Sequence, residues 1–443
     1  MSECYAANGH AHTTDGHVVH IRNNYEMLNS DFGPTLMNWM ARHGAAAYRA
    51  IRRGDTLSVE RCDGHGNAIA QSYNHSILPT LSERDKEIQI AWGIEDFKFR
   101  FGHQPEGIWL PECGVDEATL VAVAEAGLKF TILSQSQGEF RPAPGQDGIT
   151  AGPFLWRHGE VTLAVFRFDR DLAGQISFGD ALNDGARLAE LIVERALRLP
   201  ADGAVLIATD GETFGHHKKS GAAELARAFE YLERRDDITV VNCAQYLAAL
   251  PPAGGFEIHH PSAWSCAHGV ERWRSNCGCR FDQGTSQEWR APLREAMDFV
   301  VNHVHHLYDR SAEPLVKEPI VALKESIRLA IDTNPATSED FFRRHQVFSE
   351  SSQLQLSRLF EMERAAQATL TSCAWFFDDF GGLEGRVALR WAARAVELAA
   401  ELAPTIEREL LERLRGIHSN RREVGDAATL YLSVKTREAR GRV

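Results

Sequence analysis

Two short runs constrain the fold of this chain more than any other feature, because each places an acidic residue just after an apolar segment. The apolar residues 108–110 lead into Glu112, and the apolar run 205–208 ends just before Asp210. In a parallel α/β sheet or barrel, residues that follow the strand ends converge on one face, where catalytic groups lie. The pattern therefore predicts that the two carboxyl groups meet at one site. Such a pair suits general-acid and nucleophile chemistry on a glycosidic bond.

The pattern of predicted elements changes near residue 250. Before it, strand-like and helix-like segments alternate, which indicates a largely parallel sheet or barrel. Strands are predicted at 129–133, 204–209 and 238–241, with a hairpin over 156–168. From about residue 287 onwards, apolar residues recur at helical spacing. The run 251–255, rich in Pro and Gly, predicts a linker, so we expect a β/α barrel over 1–255 and a helical domain over 256–443.

The composition argues against several classes of protein. The chain has 443 residues and a net charge of −13, which argues against binding to nucleic acid or to an anionic membrane surface. No apolar run approaches the roughly 18 residues of a membrane-spanning helix, and the N-terminus has no signal-peptide pattern. The eight cysteines are typical of reduced thiols, so a cytoplasmic location is expected.

Polar residues near the two acids form a candidate binding site. A second carboxylate and two imidazoles crowd the loop after Asp210. Such a cluster is costly to pack without a function, because neighbouring charges shift one another's pKa values. The run 64–75 is too polar for a simple core strand and predicts another edge of the site. The predicted substrate-binding residues in these segments are His75, Trp109, Glu212, His216 and His217.

A third cluster, at 262–279, is dense in Trp, His, Arg and Glu, whose side chains stack on sugar rings or hydrogen-bond to them. Trp264, His268 and Arg272 are therefore predicted to bind substrate. The same run allows a rival interpretation, a zinc site. Its ligands are Cys266, His268, Cys277 and Cys279. Because this spacing is not a standard two-pair knuckle, a buried thiol cluster is the favoured prediction, with no metal and no cofactor.

A fourth motif, at 371–379, holds Trp375 and two phenylalanines. It follows a predicted helix of the C-terminal region. Two interpretations of Trp375 remain open at this stage, a core residue or a contact to the substrate.

Several of these motifs resemble glycoside hydrolase family 57. The run Gly-Ile-Trp-Leu-Pro-Glu-Cys at 107–113 resembles the third conserved region of that family, and Asp-Gly-Glu-Thr-Phe-Gly-His-His at 210–217 resembles the fourth. The run 264–273 is similar to the fifth region in the subgroup with the C-terminal domain DUF3536. The resemblance implies an incomplete, distorted (β/α)7-type barrel and an α-helical C-terminal domain. It also implies a retaining mechanism on α-glucans, with Glu112 as nucleophile and Asp210 as acid/base.

One family feature is displaced in this sequence. The first conserved region of the family is a strand with His and a Gln-Pro pair, whereas the letters His-Gln-Pro occur here at 103–105, directly before the third region. We therefore expect a chain that lacks its first barrel strand.

The resulting prediction is a retaining glycoside hydrolase or glucanotransferase with an α-glucan substrate. One alternative is a catalytically silent glucan-binding protein, to which the missing first strand points. The other is a metal-dependent polysaccharide deacetylase, disfavoured because the sequence has neither a His-x-x-x-His pair nor a Thr-Phe-Asp-Asp-Gly strand. The choice between water and a glucan as acceptor, the linkage preference and the oligomeric state stay open.

Overall fold

The protein is described by a computed structural model that covers residues 2–9, 22–142, 152–252 and 254–441. The chain forms two compact units. The first, termed the sheet unit, comprises Met1–Gln71, Phe97–Cys113 and Glu117–His260. The second, termed the helical unit, comprises Ser72–Asp96, Gly114–Asp116 and Pro261–Val443.

The sheet unit contains one mixed sheet of seven strands among the described residues. The strands are β1 (Ala70–Gln71), β2 (Gly107–Trp109), β3 (Phe130–Ser134), β4 (Gly138–Arg141), β5 (Phe154–His158), β6 (Val161–Phe168) and β7 (Gly254–Ile258). Their order is β1-β2-β3-β6-β5-β7-β4. Strands β1, β2, β3 and β6 run parallel to one another, β7 is parallel to β5, and the pairs β5/β6 and β4/β7 are antiparallel.

Local sequence explains the centre of this sheet. All five residues of β3 are buried, as expected for a parallel strand that is covered on both faces. The predicted hairpin is confirmed, because His158 pairs with Val161 across a two-residue turn. Gly159 takes the first central position of that turn with a φ of 58°, a left-handed conformation that glycine adopts at little cost.

Helices flank the sheet within the same unit. They span Ala7–Gly9, Pro34–His43, Ala45–Arg61, Glu117–Glu125, Arg170–Ser177, Gly185–Ala196, Gly221–Glu233 and Cys243–Ala249. Short 3-10 turns lie at Asn24–Glu26, Pro111–Cys113, Ala181–Asn183 and Gly211–Thr213, and a π-helical turn at Ser2–Ala6. The α/β class predicted for this part of the chain is therefore confirmed.

Two predicted strands, at 204–209 and 238–241, are wrong. Neither segment forms a ladder with another described strand. Their apolar residues instead pack against a helical core cluster that includes Leu172, Leu188 and Leu232. An apolar run indicates that a segment is buried, but it does not by itself distinguish a strand from an irregular segment that packs on helices. The linker predicted at 251–255 also needs correction, because the chain from Gly254 onwards is strand β7.

The helical unit confirms the predicted helical C-terminal part. Its helices span Glu83–Phe101 (which enters the sheet unit at Phe97), Arg290–Ala312, Pro319–Glu325, Ile327–Ile331, Pro335–Arg344, Glu350–Ala368, Cys373–Phe376, Leu383–Ala399, Ile406–Leu414 and Ala427–Gly441. Short 3-10 turns lie at Leu78–Thr80 and Glu271–Trp273. Across the described part of the chain, no helix has the length and hydropathy needed to cross a membrane.

A buried ionic network lies inside the helical unit. Nδ1 of His305 lies 2.9 Å from Glu363 Oε2, and Nε2 lies 2.8 Å from Asp85 Oδ1, an ion-pair distance without hydrogen-bond geometry. Arg84 approaches the other Glu363 oxygen at 3.1 Å. The Glu363 side chain is fully buried. Burial alone would lower the pKa of His305, but the two carboxylates raise it to about 9.

Candidate active site

Glu112 lies in a strained turn at the carboxyl end of β2. The strand ends at Trp109, which is half-buried, and the following turn gives Glu112 a φ of 55° and Cys113 a φ of 50°. Two successive non-glycine residues in the left-handed region are uncommon, and each costs on the order of 1–3 kcal/mol. Such strain persists only where surrounding contacts impose it, and it concentrates at functional sites.

Buried Gln137 supplies one of the contacts that hold this turn. Its Nε2 donates to the Cys113 carbonyl at 2.6 Å, and its Oε1 accepts from the Ser134 backbone N–H at 2.9 Å. Because Ser134 is the last residue of β3, the turn after β2 is fastened to the end of the neighbouring strand. Sequence reasoning did not identify Gln137, whose role depends on this pairing.

Asp210 begins the second acidic loop. Its carbonyl accepts from Thr213 N–H at 3.1 Å, which starts the 3-10 turn Gly211–Thr213. The carbonyl of Glu212 accepts from the N–H groups of His216 and His217 at 3.1 and 3.0 Å. These bonds fold the loop back on itself. The Asp210, Glu212, His216 and His217 side chains remain accessible to solvent.

The N-terminal turn of the sheet unit packs against this loop. Tyr5 Oη donates to Glu212 Oε1 at 3.3 Å, and Asn8 Nδ2 donates to the Phe214 carbonyl at 2.9 Å. The Cys4 thiol donates to the Gly211 carbonyl at 3.2 Å. Segments that are about 200 residues apart in sequence therefore define the position of Glu212 together.

The structure adds an acid, Asp31, that the sequence analysis missed. Ser30 forms a parallel bridge with Ala68, two residues before β1, so Asp31 follows the end of a short sheet-edge segment. The Gln71 amide, with its nitrogen towards the carboxylate, donates to Asp31 Oδ2 at 2.9 Å and accepts from the Gly33 N–H at 2.8 Å. The only local signal was that Asp31 directly precedes the run Phe-Gly-Pro-Thr-Leu at 32–36, which is similar to a segment of the DUF3536 subgroup.

The buried thiol of Cys113 is affected by the charges of three acids. Burial raises the pKa of Cys113 well above its usual value. The negative charges of Glu112, Asp210 and Asp31 raise it further. All three carboxyl groups therefore lie within electrostatic range of a single side chain at the end of β2, although Asp210 is 98 residues beyond Glu112 in sequence.

The carboxyl of Asp210 has a raised pKa. Solvent reaches this side chain, yet surrounding protein atoms displace much of its hydration. Burial raises its pKa from 3.8 to about 6, with further increases from the charges of Glu112 and Glu212 and an opposing contribution from His217. A carboxylic acid with a pKa near 6 can donate and accept a proton at physiological pH.

Asp31 has an even higher pKa. Burial raises it to about 7, a backbone hydrogen bond opposes the rise, and the charges of Asp210 and Glu212 add to it. The carboxyl groups of Asp31 and Asp210 are electrostatically coupled, so they do not ionise independently. Perturbed pKa values of this kind concentrate at functional sites.

The remaining predicted binding residues belong to the helical unit. His75 has a left-handed φ of 54°, and its Nδ1 lies 2.6 Å from Ser372 Oγ. Arg272 is buried, with its guanidinium 4.6 Å from the ring centre of Phe376. Trp264 is half-buried and His268 is exposed. Trp375 is only 1% exposed and donates from Nε1 to the Arg290 carbonyl at 3.2 Å, which favours its interpretation as a core residue.

Two sequence families match separate parts of the chain. Residues 63–259 match glycosyl hydrolase family 57, a range that includes Glu112 and Asp210. Residues 286–439 match the domain of unknown function DUF3536.

Individual relatives match shorter stretches. Alpha-amylase 1 of Dictyoglomus thermophilum is 23% identical over 188 residues, which are 42% of this chain and 26% of that protein. The 4-alpha-glucanotransferase of Thermococcus litoralis is 20% identical over 235 residues, which are 51% of this chain and 33% of that protein. The chain thus spans a third or less of the length of these curated relatives.

Solved structures share the fold. An exo-type maltose-forming amylase from Pyrococcus sp. ST04 superposes with a TM-score of 0.66 at 16% identity, covering 88% of this chain and 72% of that one. The Thermococcus litoralis 4-alpha-glucanotransferase superposes with a TM-score of 0.52 at 15% identity, covering 84% of this chain and 54% of that one. This similarity shows a shared fold, and the two sequence matches identify residues 63–259 as glycoside hydrolase family 57-like and residues 286–439 as DUF3536-like.

Proposed function

We propose that the protein is a retaining glycoside hydrolase or glucanotransferase that acts on α-glucans in the cytoplasm. The observation that carries the proposal is a pair of electrostatically coupled acids, Glu112 in its strained turn after β2 and Asp210, whose pKa of about 6 is raised in part by the Glu112 charge. The relatives named as amylase and glucanotransferase support an α-glucan as the substrate. All eight cysteines are free of disulfides, in keeping with a reducing compartment.

In the first step, protonated Asp210 donates its proton to the glycosidic oxygen as that oxygen leaves. A carboxylate oxygen of Glu112 forms a bond to the anomeric carbon, which gives a covalent glycosyl-enzyme. Formation of this ester removes the negative charge of Glu112. The pKa of Asp210 then falls, because that charge is one of the causes that raised it.

In the second step, the Asp210 carboxylate takes the proton of an incoming hydroxyl group. The oxygen of that hydroxyl replaces Glu112 at the anomeric carbon, so the configuration is retained. Water as the acceptor gives hydrolysis, and a glucan hydroxyl gives transfer. Asp31 and Glu212 act on this cycle through their charges, since each is electrostatically coupled to Asp210.

The test compares Glu112→Gln and Asp210→Asn with matched surface controls. Reducing ends and chain transfer are measured on maltooligosaccharides, and cleavage is measured on aryl maltooligosaccharides. Glu112→Gln should abolish turnover on all substrates. Asp210→Asn should slow poor leaving groups far more than activated aryl groups, which need little protonation.

The controls are Glu125→Gln and Asp236→Asn, which change exposed carboxylates of the sheet unit in the same chemical way. Both should leave turnover unchanged. If the wild-type protein binds maltooligosaccharides but neither cleaves nor transfers them, and both site variants bind equally well, the glycosidase proposal fails. A silent glucan-binding protein would then replace it.

A further inference from the structure

Four side chains of the types that ligate metals lie together in the helical unit. These residues, termed the cysteine–histidine cluster, are Cys266, His268, Cys277 and Cys279. Their sulfur and nitrogen ligand atoms all lie within 4.8 Å of one another. The Sγ atom of Cys266 is 4.0 Å from that of Cys277 and 3.9 Å from that of Cys279. Nδ1 of His268 is 3.4 Å from the Cys279 sulfur.

The sulfur–sulfur distances of 3.9 and 4.0 Å and the sulfur–nitrogen distance of 3.4 Å match ligands around one tetrahedral ion. With Zn–S near 2.3 Å and Zn–N near 2.0 Å, a tetrahedron places two sulfurs about 3.8 Å apart and a sulfur and a nitrogen about 3.5 Å apart. A disulfide requires about 2.05 Å between sulfurs, far less than either distance in the cluster. We propose that the cysteine–histidine cluster binds one Zn²⁺ ion as a structural Cys3His site.

Two glycines in the left-handed region turn the backbone beside the cluster. Gly278 lies between two of the cysteines with a φ of 85°, so the chain turns sharply between their side chains. Gly269, next to His268, has a φ of 81°, and a Cβ there would lie 2.6 Å from the Pro261 carbonyl oxygen. An alanine at Gly269 would therefore displace the loop that carries His268.

The cluster lies in a segment with little regular structure of its own. Between Ser262 and Trp289, the only helical element is the 3-10 turn Glu271–Trp273. The ligand pairs flank this turn, one residue apart within each pair. An ion that joins them would cross-link the two ends of the loop and hold Arg272 and Trp273 in their buried positions.

A positive charge next to the cluster suits a site that holds Zn²⁺. Three thiolates and one Zn²⁺ ion carry a net charge of −1, which requires a cationic neighbour in a partly buried setting. Arg290 is fully buried, and its Nη1 donates to the Cys279 carbonyl at 2.9 Å. Its guanidinium is also electrostatically coupled to Cys277 and Cys279. This residue supplies the compensating charge next to the ligands.

The ligand set also indicates the metal and its role. Three thiolates and an imidazole in tetrahedral arrangement favour zinc over hard cations such as magnesium or calcium. Four protein ligands leave no open position for water or substrate, which is typical of structural sites. The ligand spacing did not identify the site in the sequence. Its pairs are Cys-x-His and Cys-x-Cys, with one residue between the ligands, whereas standard zinc knuckles have two to four residues between paired ligands.

The experiment uses the full chain, expressed in zinc-supplemented medium and purified without chelator. Elemental analysis by inductively coupled plasma mass spectrometry should find about one zinc per chain. X-ray absorption at the zinc edge should fit three sulfur ligands near about 2.3 Å and one nitrogen near about 2.0 Å. Protein stripped with a chelator should bind Co²⁺ and develop the visible and thiolate charge-transfer bands of a tetrahedral cobalt site.

Variants locate the ion. His268→Ala and Cys277→Ser should lose most of the zinc, whereas Cys373→Ser, which changes an exposed cysteine outside the cluster, should keep it. If Cys277→Ser aggregates, the zinc content of His268→Ala can still be compared with that of Cys373→Ser, because His268 is exposed. Absence of stoichiometric zinc in the wild type together with no cobalt spectrum would overturn the proposal. Alkylation and mass analysis that reveal a disulfide within the cluster would also overturn it.

Discussion

The proton equilibrium of Asp210 offers the sharpest test of the acidic site. Its pKa of about 6 means that the side chain is half protonated at pH 6 and roughly one-tenth protonated at pH 7. Glu112 is the charged group that raises this pKa most, after burial. Replacing Glu112 by Gln should therefore lower the pKa of Asp210, while burial keeps it above the usual 3.8.

The variants should rank in a defined order. Glu212→Gln should lower the pKa of Asp210 less than Glu112→Gln does, because Glu212 is the smaller of the two causes. Removal of His217 should act in the opposite direction, since its positive charge lowers the pKa of Asp210. Glu125→Gln is the matched control and should leave the titration unchanged, because this exposed carboxylate is not among the groups that shift the Asp210 pKa.

The measurement does not depend on turnover. Protein labelled with ¹³C at the aspartate carboxyl carbon is titrated by NMR, and the Asp210 resonance is assigned from its loss in Asp210→Asn. Where the wild type turns over maltooligosaccharides, the decline of kcat/KM above pH 6 should report the same group. A wild-type titration at pH 4, or one that neither Glu112→Gln nor Glu212→Gln moves, would refute the electrostatic reasoning.

The same shift has a consequence for stability. The folded protein binds the Asp210 proton more tightly than the unfolded chain does, because the folded pKa of about 6 exceeds the usual 3.8. The contribution of Asp210 to stability therefore decreases as the pH rises from about 4 through 6. Asp210→Asn removes this penalty, so the variant should be more stable than the wild type at pH 7 and lose that advantage at pH 4.

Two further predictions concern the cores of the units. His305→Gln should destabilise the helical unit by about 3 kcal/mol at pH 6, which is the free energy that corresponds to a pKa raised from 6.5 to about 9. Urea unfolding should show that this loss of stability shrinks between pH 6.5 and 9, because the wild-type imidazole loses its proton over that range. A loss of stability that does not depend on pH would contradict the ionic network. Gly107→Ala should lower the melting temperature, because the new Cβ would lie 2.2 Å from the buried Phe130 ring. Gly174→Ala is the control: it lies in a helix and its new Cβ would meet no atom within 4 Å, so it should be neutral or stabilising.

The sequence alone predicted many of the local elements and the two acids of the candidate site. Strand β3, the hairpin β5/β6 and most of the long helices follow from apolar periodicity and turn residues, which act over a few positions. The position of Glu112 directly after an apolar run likewise predicted a strand end, because β2 is encoded by the residues that precede it. The family motifs predicted Glu112 and Asp210 as the two acids of the candidate site.

Tertiary structure decided what depends on distant pairing. Asp31 joins the acids only because Ser30 pairs with Ala68, and β7 is a strand only because β4 and β5 supply its hydrogen bonds. The predicted strands at 204–209 and 238–241 failed for the converse reason, since a ladder needs a partner that no local pattern specifies. The proximity of the four side chains in the cysteine–histidine cluster also depends on a folded loop and two left-handed glycines, which a spacing rule cannot capture.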